Sequence, residues 1–413
     1  MPISFEDVSA HDVLVALAEF PPVRDIQCGM LAAGNPRERP MKHALLTATL
    51  TVLLTSFGTH TMAKTSLLYI ATQDPDKMGI AVAEFDSGTG RLSTPKMIME
   101  TRDPAHFTLS ADGKRLYLCN TGTPGGVSAF AVADRKTGAL RLLNYKESRG
   151  RGPSYVSVDK SGHYVLDANY GGGFVEVYSL AADGSLDRQT AFVQHEGSSV
   201  HPQRQTKPYA HWIRTDPTNK FALVTDLGTD KVVIYRFDEK TGTLTPNDPA
   251  FTKVNGGSGP RHMAFHPNGK WLYAVQELSN EVIAFNWDAG TGMATQFQQV
   301  KTLPADFTEP NTAAEIAVRS DGKFAYVSNR GHDSLVVYAV DARTGELTLR
   351  QRVPSRGKVP RYFAFDPGEK WLIVSNQEGG NVSVFSIDAK SGELAPVGEP
   401  VAIAKPMGVV FLN

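Results

Sequence analysis

The chain has almost no cysteine. Only Cys28 and Cys119 occur among its 413 residues, so it has neither a disulfide framework nor a thiolate metal cluster. Metal-ligand spacing is missing too: there is no His-x-x-x-His and no Asp-rich calcium loop. Lysine and arginine runs are absent and the formal net charge is -1, which speaks against nucleic acid or a membrane surface as partner. No apolar run is long enough for a membrane-spanning helix. Any charge that matters must be local.

The nearest approach to an apolar span is residues 41–63, MKHALLTATLTVLLTSFGTHTMA. Met41-Lys42-His43 is a short basic start, Ala44 to Phe57 is apolar with scattered threonines, and Thr61-Met62-Ala63 ends in small residues. That is the pattern of a secretory signal peptide; the competing reading is a buried or interfacial helix. A signal starts a chain, yet residues 1–40 precede this one. The expectation is therefore that Met41 is the true start and that residues 1–40 are a non-native or disordered extension. Removal of the signal leaves a periplasmic or secreted chain, free of the membrane, with Cys119 as its one thiol. If Met41 is not the start, the protein is cytoplasmic.

The 37 glycines and 25 prolines suit a fold with many turns, and from Lys64 onward the sequence repeats itself. PAHFTLSADGKRLYLCN (104–120), PSYVSVDKSGHYVLDAN (153–169) and AHWIRTDPTNKFALVTD (210–226) each read as strand, turn, strand. PRHMAFHPNGKWLYAVQ (260–276), AAEIAVRSDGKFAYVSN (313–329) and PRYFAFDPGEKWLIVSN (360–376) do the same. A third alternating strand follows each, then a turn, often of the type Asp-x-x-Thr-Gly-x-Leu (Thr137-Gly138, Thr241-Gly242, Thr344-Gly345), then an edge-like fourth strand. Four strands every fifty residues or so is the period of a propeller blade. Residues 67–92 supply later strands of a blade without an innermost one, and KPMGVVFLN (405–413) is an orphan innermost strand. Pairing the two closes the ring and protects its edges. The expected fold is all-β, a seven-bladed β-propeller spanning 64–413 as one domain, with no helix of note.

Alignment of the repeats lists the residues at the channel mouth. The innermost strands start with Ala105, Ser154, His211, Arg261, Ala314 and Arg361. The next position carries His106, Tyr155, Trp212, His262, Glu315 and Tyr362. The second strands finish on Asn120, Asn169, Asp226, Gln276, Asn329 and Asn376, residues suited to capping turns. One step further stand Thr121, Tyr170, Leu227, Glu277, Arg330 and Gln377. Ionisable groups concentrate in blades four to seven: His211, Arg261, Glu277, Glu315, Arg330 and Arg361. Buried charges are costly unless paired or used, and a mixed acid, base and arginine cluster in the one concave site of a fold is the usual form of an active site. The bland alternative is a salt-bridge network locking blades together.

KPYAHWIRTDP, GSGPRHMAFHPNGKWLYAVQELSN and AAEIAVRSDGKFAYVSNRGHDSLVVYAV resemble the seven-bladed propeller lactonases, the family of bacterial 6-phosphogluconolactonases and relatives of fungal 3-carboxymuconate cyclase. The resemblance runs through essentially all of 64–413. It implies hydrolysis of a small sugar lactone without metal or other cofactor, and residues implicated in the family match His211, Arg261, Glu277 and Arg330. His106, His262, Glu315, Arg361, Asp226 and Tyr170 are the expected substrate contacts. Export favours D-glucono-1,5-lactone over its 6-phosphate, since sugar phosphates are scarce outside the cytoplasm. Glu277 or His211 can serve as general base, while Arg261 and Arg330 suit an oxyanion or a substrate carboxylate. Muconate cyclase chemistry and a non-catalytic binding platform are the other readings. Nothing in the sequence specifies an oligomeric state.

Overall fold

The computed structural model describes residues 65–412; the expected extension (1–40) and signal peptide (41–63) lie outside them. Every regular element among the described residues is a strand, and no helix there is long and apolar enough to cross a membrane. The strands form seven antiparallel sheets, six of them four-stranded with strands in chain order. The seventh is the divided blade. Pro406–Leu412 pairs with Thr65–Thr72, in register from Leu67 opposite Leu412, and supplies the innermost strand of blade one. The outer edge of that blade is split between Arg91–Leu92 and Lys96–Glu100.

Alternation along the central strands sends apolar side chains to both faces of each sheet, so neighbouring blades share cores. Leu223, Ile283 and Phe285 are fully buried between adjacent blades, as are Tyr273, Ala325 and Val327. Over these cores lies a belt of directed bonds from each second strand to a turn of the following blade. Tyr69 donates to Gly138 O (2.9 Å), Tyr117 to Gly184 O (3.0 Å), Tyr273 to Gly345 O (2.7 Å) and Tyr326 to Gly392 O (2.9 Å). Tyr164 reaches Lys240 O (2.9 Å), and Trp371 Nε1 closes the circle on Ser87 O of blade one (2.9 Å). Blade four has Phe221 instead, packed against Gly292 without a hydrogen bond. The turns hold their shape through their leading aspartates, as when Asp134 accepts from Lys136 N and Thr137 Oγ1. Gly345 shows why glycine ends them: its φ is +77°, and a Cβ there would lie 2.4 Å from the Trp271 ring. No other residue adopts that backbone at so close an approach without strain.

Candidate active site

A bulge opens every innermost strand. In blade five, Pro260 faces Gln276 and His262 faces Val275, so Arg261 is an extra residue with no partner of its own. The same shift skips His211 in blade four, Ser154 in blade three, Arg361 in blade seven and Met407 in blade one. In blades two and six it skips pairs, Ala105-His106 and Ala314-Glu315. On a regular strand, side chains would point only towards the neighbouring blades. A bulge bends the chain and re-aims the extra side chain, here towards the channel. Among them are the six residues that repeat alignment placed at the start of the innermost strands, Ala105, Ser154, His211, Arg261, Ala314 and Arg361.

The front of the channel is built around one carboxylate. Glu277, 5% exposed, lies 3.0 Å from Arg261 Nε and 3.0 Å from Arg330 Nη2 through Oε2, while Oε1 takes Arg204. Arg261 meets it as a close ion contact without hydrogen-bond alignment at Nε, and its Nη1 donates to Ala314 O at 2.6 Å. Burial by itself raises the Glu277 pKa, but Arg330, Arg261 and Arg204 reverse this and hold the carboxyl well below the usual range. Arg361 stands within electrostatic reach of Arg330 and Glu277 and makes no hydrogen bond or ion pair among the described residues. Four guanidiniums thus face one ionised carboxylate. The chamber carries surplus positive charge.

His211 sits beside this cluster. Its ring lies 5.3 Å from Tyr170 and 5.0 Å from His262, both edge-on, and its Nδ1 is buried without a partner. Burial, reinforced by Arg261, drives its pKa well below 6.5. The imidazole is neutral at physiological pH, with Nδ1 left without a partner.

The next ring is not part of the open chamber but a plug beneath it. His106 stacks on Tyr155 at 3.9 Å and meets Tyr362 at 5.4 Å, and Tyr155 packs edge-on against His262 at 5.1 Å. His262 Nδ1 and Glu315 Oε2 are 2.9 Å apart. Burial raises the Glu315 carboxyl to about 8, with Arg261 opposing, and burial and Arg261 together lower His262. Both shifts favour a neutral pair that shares one proton. Asp226 takes a different place from the expected substrate contact. It is fully buried, with Oδ1 accepting from Tyr209 N, Gly228 N and Thr229 N and Oδ2 paired with His195 Nδ1 at 2.7 Å. Oδ1 caps the turn and Oδ2 is held by His195, so both oxygens are engaged within the protein.

Arg204 is the member that sequence reasoning missed. It comes from the connection 195–209 between blades three and four, outside the repeat, and also reaches Tyr170 OH at 3.3 Å. That connection is pinned by Gln205, fully buried, whose Nε2 donates to Leu227 O at 2.8 Å. Its length, greater than that of any other link between blades, was the signal available. Metal-ligating clusters of His, Cys, Asp or Glu are absent among the described residues.

Against known proteins, residues 67–411 match the family described as "Lactonase, 7-bladed beta-propeller". The chain belongs to the seven-bladed β-propeller lactonases. It is 38% identical to the 6-phosphogluconolactonase of Bacillus subtilis over 336 residues, covering 81% of this chain and 95% of that one. The structure of the Pseudomonas aeruginosa periplasmic gluconolactonase superposes with a TM-score of 0.81 at 31% identity, covering 85% of this chain and 99% of the other. A Lactobacillus plantarum structure gives 0.79 at 34% identity, covering 85% and 100%. Family membership makes this propeller a lactone-hydrolysing enzyme.

Proposed function

We propose that the front chamber hydrolyses the ring ester of a sugar 1,5-lactone, D-glucono-1,5-lactone in the first instance, in the periplasm. The observation that carries this reading is the division of labour between Glu277 and His211. A carboxylate clasped by Arg261, Arg330 and Arg204 is a poor base and a good organiser of guanidiniums. The adjacent imidazole is neutral and unpaired at Nδ1. His211 therefore takes a proton from water as the water oxygen adds to the lactone carbonyl. The oxyanion forms against Arg261 and Arg330, fixed cations that need no reorganisation. When the carbon–oxygen ring bond breaks, the imidazolium returns the proton to the leaving alkoxide. The product ionises to an aldonate. Tyr170, Arg361 and, from the plug, His262, Glu315 and His106 shape the floor and walls against which the sugar lies.

A second reading within the same chemistry is the 6-phosphate of that lactone. The surplus of guanidiniums favours it, Arg361 above all, and so does the name of the Bacillus subtilis relative. The signal-like segment 41–63 and the likeness to a periplasmic gluconolactonase favour the uncharged sugar. Hydrolysis of both lactones followed by pH-stat, corrected for the spontaneous rate, separates them. The expected result is acceleration of glucono-1,5-lactone with the larger kcat/KM. Acceleration of neither would leave the propeller a binding platform.

A further inference from the structure

The channel has a second chamber behind the plug. It opens at the opposite ends of the innermost strands, where they turn into the second strands, and has two lobes of about 360 and 400 Å³. Both lobes are lined by Tyr155, Lys160, Arg214 and Tyr362; His106 lines one and Glu315 the other. Volumes of this size hold small ligands.

Its polar groups are donors in excess. Arg214 and Lys160 are solvent-exposed at its mouth, and neither the guanidinium nor the ammonium makes a hydrogen bond or ion pair among the described residues. The two cations repel: burial first, then Arg214, lowers the Lys160 pKa. The nearby carboxylates are engaged elsewhere. Asp159 holds Ser161, His163 and Tyr164, and Asp216 holds Thr218, Lys220 and Phe221. His106, 8% exposed, accepts Val156 N at Nδ1 (3.2 Å). A neutral imidazole so engaged carries its proton on Nε2, and this N–H has no protein partner among the described residues. Two solvent-facing, unmatched cations and the unpartnered His106 N–H around a cavity with aromatic walls suit anionic oxygens.

We propose that this rear chamber is a second binding site, for a small carboxylate or phosphate anion held by Arg214, Lys160 and His106 between Tyr155 and Tyr362. It is distinct from the front chamber, since none of Arg204, His211, Arg261, Glu277, Arg330 and Arg361 lines either lobe. The ligand need not be a lactone.

Isothermal titration of the whole chain with inorganic phosphate, and separately with acetate, tests the proposal on three proteins. Wild type is expected to bind at least one of the two saturably, and which one it binds identifies the anion. Arg214→Ala/Lys160→Ala should weaken that binding at least tenfold while lactone hydrolysis in anion-free buffer stays as in wild type. Arg330→Ala, altered only in the front chamber, should keep it. Unweakened binding by the double variant, loss of all binding in Arg330→Ala, or no saturable binding of either anion by wild type would each overturn the assignment. Activity is not the readout for binding, so failure of the lactonase reading and failure of this site remain distinguishable.

Discussion

Arg261 and Glu277 are the residues to change first. Loss of one preorganised oxyanion donor typically costs about 3 kcal/mol of barrier, roughly a hundredfold in rate. Purified Arg261→Ala and Glu277→Gln are expected to fold and to lose at least a hundredfold in turnover by pH-stat. Unchanged turnover in both would refute their assignment. His211 makes a different prediction, because it must be neutral to act. Its pKa lies well below 6.5, so kcat/KM should stay flat as pH falls through 6.5 and decline only further down. An acid limb centred on 6.5 would point to a solvated histidine instead. Glu315 ties the same region to stability. Its folded pKa is about 8 against an ordinary 4.5, so between those values the folded state holds a proton that the unfolded state has lost. Stability is then fully present below 4.5 and declines as pH rises through 8. Glu315→Gln, which imitates the protonated acid, should flatten the dependence of the urea midpoint on pH between 5 and 8.

At the scale of elements, the bulge decides how much of the site the sequence reveals. The repeat gives position, and position gathered His211, Arg261, Glu277, Glu315, Arg330 and Arg361, from which the family resemblance singled out His211, Arg261, Glu277 and Arg330. It did not give depth. His106, His262 and Glu315 stand one residue beyond Arg261 and its equivalents in the aligned repeats, yet they pack into a plug, a consequence of ring-on-ring contacts that periodicity does not encode. Asp226, expected among the substrate contacts, is held instead by its own turn and by His195. Arg204 was invisible because it belongs to no repeat. The belt of tyrosine bonds between blades was equally hidden, although the Thr-Gly turns that receive it were plain. One such bond is worth about 1 kcal/mol net, so Tyr273→Phe should lower stability by roughly that amount in urea.

For the whole molecule, the strongest sequence signal was also the most faithfully realised. Seven blades and closure through residues 406–412 follow from a repeat whose first unit lacks an inner strand and whose last fragment has nowhere else to pair. The closing strand buries Met407, Val409, Phe411 and Leu412 and covers the inner edge of Thr65–Thr72. Deleting residues 406–412 exposes that edge and those neighbours together, and such edges invite association between chains. The truncated protein is expected to lose its cooperative urea transition and to elute as aggregates in size-exclusion chromatography, whereas a monomeric, cooperatively folding product would show the closure to be dispensable.

That closure also sets a schedule. Leu67 and Leu412 are partners across nearly the whole described chain, so Thr65–Thr72 has no inner neighbour until Pro406–Leu412 has been made. Six blades draw all four strands from one stretch of chain, but the ring stays a horseshoe until residues 406–412 are in place, and neither chamber has its full wall before then. The enzyme becomes a vessel only when Pro406–Leu412 joins Thr65–Thr72.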